Sequence, residues 1–137
     1  MSILSVSSKT ELDEYLSTLN PADTKVAILD CSASWCGPCK QIYPKLEELA
    51  AKNSDLLILK MDVDEAPELS TALNVRAMPT FFFWTIHSEV DENQQIIPGR
   101  NFVRPAPVPK QTGANINNII SIIQQSRETV NKFPFVR

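Results

Sequence analysis

Apolar and polar positions along this chain change period repeatedly, and each change marks an element. Ile3 to Val6 predicts a short strand. Ser8-Lys9-Thr10-Glu11 has the spacing of a capping box. It opens a helix whose Leu12, Tyr15, Leu16 and Leu19 form the buried stripe, with Pro21 after its end. Lys25 to Cys31 holds the continuous apolar run Val26 to Leu29 and predicts the first central strand. The next helical pattern sets Ile42, Leu46, Leu49 and Ala50 on one face and carries Pro44 in its interior, where a kink is expected. Leu56 to Val63 is nearly continuous in apolar residues, as a strand covered on both faces should be. Asp64 to Leu73 predicts a short helix with Pro67 in its first turn, and Thr80 to Trp84 a strongly aromatic strand. A last helix runs from about Asn115, with Ile116, Ile119, Ile120 and Ile123 on one face. Strands alternating with helices argue for an α/β fold with helices on both faces of a central sheet.

Length and charge narrow the class. The 137 residues suffice for one core and are too few for two ordinary domains, so residues 1–137 are expected to form a single domain. Thirteen basic residues against 16 acidic ones leave a net charge of −3, so no strong field for nucleic acid or an anionic membrane is expected. Met1-Ser2-Ile3-Leu4-Ser5 lacks the charged and long apolar regions of a signal peptide, and no apolar stretch is long enough to span a bilayer. Three cysteines, two of them in one CxxC, do not make the disulfide framework of a secreted domain. The expectation is a soluble chain in a reducing, cytoplasmic compartment.

Chemistry concentrates in Trp35-Cys36-Gly37-Pro38-Cys39-Lys40, between the first central strand and the following helix. Cys36 falls at the strand-to-helix junction. The unpaired amides and dipole of that helix end favour a thiolate and lower its pKa below the roughly 8.5 of a free cysteine. Cys39 lies one helical turn on, where Cβ atoms are about 5–6 Å apart, close enough to form a disulfide after a modest adjustment. An attacking thiolate with a second thiol ready to displace it performs dithiol–disulfide exchange. Gly37 leaves the nucleophile open to a bulky disulfide, and Pro38 fits a first turn that has no partner for an N–H. Trp35 offers a flat apolar cover on one side. The alternative, half of a structural zinc site, needs four ligands, and only Cys31 and His87 remain to complete it.

With these residues in view, the chain resembles the thioredoxins over roughly Ser2 to Trp84 and Thr112 to Ser126. Trp35-Cys36-Gly37-Pro38-Cys39-Lys40 is similar to the active-site motif of that family, and Asp30, Pro44, Lys60, Met78-Pro79-Thr80 and Gly113 follow in the family's order and approximate spacing. The resemblance implies a mixed central β-sheet flanked by helices on both faces. It implies that Cys36 is the nucleophile and Cys39 the resolving thiol, with a lowered thiol pKa and a low reduction potential. Asp30 would sit buried behind the dithiol and take the proton from Cys39, its own pKa raised toward neutrality by desolvation. The alternative for Asp30 is a carboxylate satisfied by backbone near the strand end. Lys60 would tune Asp30, or simply snorkel from its strand. A cis Met78–Pro79 bond would let Met78 present its backbone to an extended substrate, with Trp35, Gly37, Pro38, Pro79 and Gly113 completing the substrate-binding surface. Cys31 reads as an inert buried thiol. No cofactor or metal would be bound, and electrons would come from NADPH through a thioredoxin reductase. The partners would be that reductase and disulfide-containing proteins, and the chain would be a monomer.

One stretch departs from the pattern. Residues 85–110 read as an insertion loop before the final strand, polar and acidic from Ser88 to Gln95 and basic at Arg100, Arg104 and Lys110. Pro98-Gly99 marks a turn, and Pro105, Pro107 and Pro109 favour a polyproline II path. Because Pro79 and Gly113 both stand beside the thiols, the insertion should leave from the opposite pole. Residues 129–137 form a tail whose Phe133 and Phe135 are candidates for docking on the domain or a partner. Two readings of function follow. One is a protein-disulfide reductase acting in redox homeostasis and electron transport. The other is a binding module that uses the insertion or tail to hold a partner, its thiols tuning that contact.

Overall fold

The structure, a computed structural model, describes residues 3–132 and 135–136. Its elements in chain order are β1 (Leu4–Ser5), α1 (Lys9–Ser17), β2 (Val26–Ser32), α2 (Gly37–Lys52), β3 (Leu56–Asp62), α3 (Pro67–Ala72), β4 (Thr80–Val90), β5 (Ile96–Thr112), α4 (Ile116–Lys132) and β6 (Phe135–Val136). They build one mixed sheet in the order β1-β3-β2-β4-β5, with β6 added beside β4. β1, β3 and β2 are parallel to one another, β4 is antiparallel to β2, and β5 is antiparallel to β4.

The period of two within β2 and β3 assigns the layers. Val26 and Ile28 of β2, with Leu56 and Ile58 of β3, pack against Ile42, Leu46 and Ala50 of α2 and against Ile119, Ile122 and Ile123 of α4. Leu29 and Cys31, with Leu59 and Met61, pack on the other face against Leu12 of α1 and Leu69 of α3. Each fully buried aliphatic side chain is worth about 1.5–3 kcal/mol over its exposed state, so these two layers dominate the stability of the fold. Local signals close the elements as expected. The Ser8 side chain caps α1 by accepting from the Glu11 amide. The Glu11 carboxylate reaches one residue further back than a capping box requires and accepts from the Ser7 amide.

Two expectations are corrected. In α4 the buried stripe is Ile119, Ile122, Ile123 and Ser126, whereas Ile120 is 37% exposed. Ile116, Ile119 and Ile123 do pack in the core, so Ile120 alone of the expected stripe falls outside it. More consequentially, residues 85–110 are not a loop on a polyproline II path: apart from the turn at residues 91–95 they are strand. β4 continues past Trp84 to Val90, and β5 returns from Ile96, pairing Ile86 with Val103 and His87 with Phe102. The register shifts between Phe82 and Trp84, whose partners are Lys110 and Pro105, so Pro107 and Pro109 fall in a bulge with Pro105 at its edge. That bulge turns Ala106 into the core, where Val108 packs beside it. β5 is the outer strand at this side of the sheet, where a residue without an N–H is tolerated. The tip of the ribbon lies at the pole away from the thiols, because β4 starts opposite Cys31 and passes Val26 at Thr85. β6 runs parallel to β4 at Glu89 and Val90. The docking expected of Phe133 and Phe135 lies outside what is described.

Candidate active site

Cys36 is the N-cap of α2, and its sulfur accepts from the backbone N–H of Cys39 at 3.3 Å. An amide pointed at the sulfur from the first turn stabilises negative charge there, as the junction position predicted. The two cysteines form a disulfide with a Cα–Cα distance of 5.3 Å, each residue 5% exposed. Ala33 shares their cluster, and Val63 and Met78 pack against it. Gly37 and Pro38 are exposed beside them, and a Cβ built on Gly37 meets nothing within 4 Å. Packing therefore does not require glycine at that position, whereas approach of a substrate benefits from it. His87, the distant member of the zinc alternative, lies in the ribbon with its Nε2 2.7 Å from the Thr85 hydroxyl and its ring stacked on Phe102. It is at the opposite end of β2 from the thiols, so the four-ligand set is not assembled.

The parity of β2 places Asp30 on the same face as Val26 and Ile28, the face covered by α2. Asp30 is 1% exposed, and its Oδ1 has no hydrogen-bond partner. The alternative of a backbone-satisfied carboxylate does not hold for that oxygen. Burial pushes the Asp30 pKa up from 3.8 to about 7, against the opposing pull of the Lys60 charge. Lys60 stands directly beside Asp30 in the β2–β3 register. Its ammonium, however, lies over the ring of Tyr43 in α2, 4.6 Å from the centroid. A cavity of about 480 Å³ brings Cys39, Tyr43 and Lys60 to common walls with Ser32, Ala33 and Asp62. Cys31 points to the opposite face, where burial and the neighbouring Asp30 charge raise its thiol pKa well above the ordinary value. A buried thiol held un-ionised is a poor nucleophile.

The Met78–Pro79 bond is cis. The Thr80 hydroxyl donates to the Ala77 carbonyl at 2.6 Å across that segment, and the Gly113 amide donates to the Pro79 carbonyl at 2.8 Å. Gly113 has φ of +104°, a conformation that favours glycine. Together these bonds hold Met78 against the disulfide. Trp35 is 65% exposed, and its indole N–H donates to Asp64 Oδ2 at 2.8 Å. The Asp62 carboxylate in turn accepts from the Asp64 amide at 2.8 Å, fixing the turn that presents Asp64. Sequence reasoning missed Asp64 and Tyr43. Asp62-Val63-Asp64 does carry a turn signal after β3, but nothing in it points to an indole, and nothing in the α2 periodicity marks Tyr43 as a cation partner.

A cysteine pair at a helix N-terminus, a buried carboxyl in the strand that leads to it and a mixed sheet beneath define a thiol–disulfide oxidoreductase. The model of the thioredoxin family, described as Thioredoxin, matches residues 5–103, and the chain belongs to that family. It is 39% identical over 87 residues to the thioredoxin of Equus caballus, an alignment covering 64% of this chain and 80% of that protein. It is 44% identical over 79 residues to thioredoxin H2-1 of Oryza sativa subsp. japonica, covering 58% of this chain and 56% of that one. Among solved structures, a poplar thioredoxin h superposes with a TM-score of 0.67 at 31% identity, covering 90% of this chain and 95% of that one. Mitochondrial thioredoxin 3 from Saccharomyces cerevisiae in its oxidised form superposes with a TM-score of 0.64 at 28% identity, covering 89% and 93%. Thioredoxins act on disulfide-containing substrates, and this chain carries the paired cysteines for that chemistry.

Proposed function

We propose that this protein works in the reducing direction, taking electrons from NADPH through a thioredoxin reductase and passing them to disulfides of cytoplasmic proteins, as a monomer serving redox homeostasis. In the reduced protein the Cys36 thiolate attacks one sulfur of the substrate disulfide. A Cys36–substrate bond forms as the substrate bond breaks, and one substrate thiolate leaves. Asp30, ionised, takes the proton from Cys39. The Cys39 thiolate then attacks Cys36 Sγ, forming the intramolecular disulfide and releasing the second substrate thiolate. Two electrons have moved from the dithiol to the substrate. The reductase returns them, with NADPH as the source, and no cofactor is held by this chain.

The observation that carries the reading is a disulfide at the α2 N-terminus with a buried Asp30, its Oδ1 unpartnered, in the strand that precedes it. With a pKa of about 7 it is partly ionised at neutral pH, the condition under which a group serves best as a proton acceptor. Met78, packed against the cysteines, supplies backbone to an extended substrate segment, and Trp35, Gly37, Pro38, Pro79 and Gly113 shape the surface around it. Lys60 moderates the Asp30 charge from the neighbouring strand. Reduction of a test protein disulfide, driven by NADPH and a thioredoxin reductase, decides the matter. Turnover that needs both Cys36 and Cys39 is expected. Failure of NADPH oxidation under these conditions would instead favour the binding-module reading.

A further inference from the structure

Lys60 and Asp30 are adjacent in register on the α2 face of the sheet, yet among the described residues no ion pair joins them. The ammonium sits over the Tyr43 ring instead, at 4.6 Å from its centroid. A direct contact between these two charges in so buried a place would hold Asp30 ionised and make it a poor base. Tyr43 lies one turn along α2 from Cys39 and shares the cavity wall with Lys60 and Cys39. We infer that Tyr43 is a positioning residue whose aromatic face competes with Asp30 for the Lys60 ammonium, holding the cation far enough away that the carboxyl stays protonatable near neutrality. The inference rests on Asp30 being the proton acceptor proposed above only for its bearing on turnover; its effect on the Asp30 titration is separate.

The other groups near Asp30 do not perform this task. Cys31 faces the opposite layer, and Lys110 acts on Cys31 from β5. Asp62 and Lys40 line the cavity at its walls, and Glu47 acts on Tyr43 from the next turn of α2. Burial and the charges of Glu47 and Asp30 raise the Tyr43 pKa, so its hydroxyl stays neutral and only the ring addresses the lysine. The hydroxyl is therefore dispensable in this role and the ring is not.

The test is direct titration of the Asp30 carboxyl carbon by NMR in the full chain, alongside the pH profile of the mixed-disulfide resolution rate. Tyr43→Phe keeps the ring and should leave the Asp30 midpoint in place. Tyr43→Leu keeps much of the bulk, loses the π face, and should lower the midpoint by roughly half a pH unit, the scale of an exposed cation–π contact. Should that variant fail to fold, Tyr43→Met makes the same comparison. In a Lys60→Met background the Tyr43→Leu shift should vanish, because there is no cation left to release. An unmoved midpoint in Tyr43→Leu, or an equal shift with and without Lys60, overturns the inference. If the carboxyl titration moves as expected while the resolution profile does not follow it, the positioning role stands and the acceptor role of Asp30 falls.

Discussion

Replacing Asp30 by asparagine should stabilise the oxidised protein, and by an amount that depends on pH in a calculable way. The carboxyl titrates at about 7 in the fold against 3.8 for an ordinary aspartate. At 1.36 kcal/mol per tenfold in proton affinity, ionising it in place costs about 4 kcal/mol. The folded state holds this proton more tightly than the unfolded chain does. Stability from this site is therefore fully present below pH 3.8, falls as pH rises through 7, and levels off above. Between pH 5 and pH 8 the unmodified protein should lose roughly 2–3 kcal/mol on this account. Asp30→Asn has no such slope. The amide brings its own cost, since it sits where Oδ1 has no partner, but that cost is the same at both pH values. The difference between its advantage at pH 8 and at pH 5 therefore isolates the buried charge. Urea unfolding of both oxidised proteins at the two pH values measures it. An advantage of equal size at pH 5 and pH 8 would refute the argument, because it would mean that Asp30 titrates alike in the folded and unfolded chains.

The remaining predictions concern the thiols and the ribbon. Cys36→Ser should abolish exchange, whereas Cys39→Ser should accumulate mixed disulfides on Cys36; mass spectrometry of trapped adducts checks this, and trapping on Cys39 in the reciprocal variant contradicts it. Cys31→Ala should leave turnover nearly unchanged while costing on the order of 1 kcal/mol of stability through a small cavity in the α1 and α3 layer, as read by denaturant midpoint. Joining Ile86 to Val103 by an Asn-Gly turn removes the ribbon tip but keeps a register-matched pair, so reduction of a small test disulfide should persist. Excising all of residues 85–110 should instead unfold or severely destabilise the chain, because it strips Ala106 and Val108 from the core. Circular dichroism and turnover on the two trimmed proteins separate these outcomes.

What the sequence revealed followed from periodicity, and what it concealed followed from its limits. A period of two through Val26, Ile28 and Asp30 already sets the aspartate on the face that the α2 stripe must cover. Ala27, Leu29 and Cys31 are sent to the other. That parity makes the burial of the carboxyl, and of the third thiol on the opposite face, legible. The ribbon was not, because Pro98, Pro105, Pro107 and Pro109 argue against a strand unless one knows that the strand is outermost and bulged, which only tertiary pairing decides. Ile120 was misplaced because four isoleucines close together leave the angular position of the stripe underdetermined. The Lys60–Tyr43 contact lies beyond pattern altogether: periodicity gives the side of the sheet on which a lysine stem starts, not where its flexible ammonium comes to rest.

The bulged outer strand has a consequence for the protein at high concentration. A 17-residue strand with one side unpaired is a template on which other chains can assemble edge to edge. Here that template is broken by four prolines, which supply no N–H to an incoming strand, and is studded with Arg100, Arg104 and Lys110. On the other side of the sheet, β1 pairs with β3 at Leu59 and Lys60. The prolines and charges thus make the long margin a poor template for an added strand. Converting Pro105, Pro107 and Pro109 to valine would reopen the long margin, and the expected result is concentration-dependent aggregation with the dithiol chemistry intact.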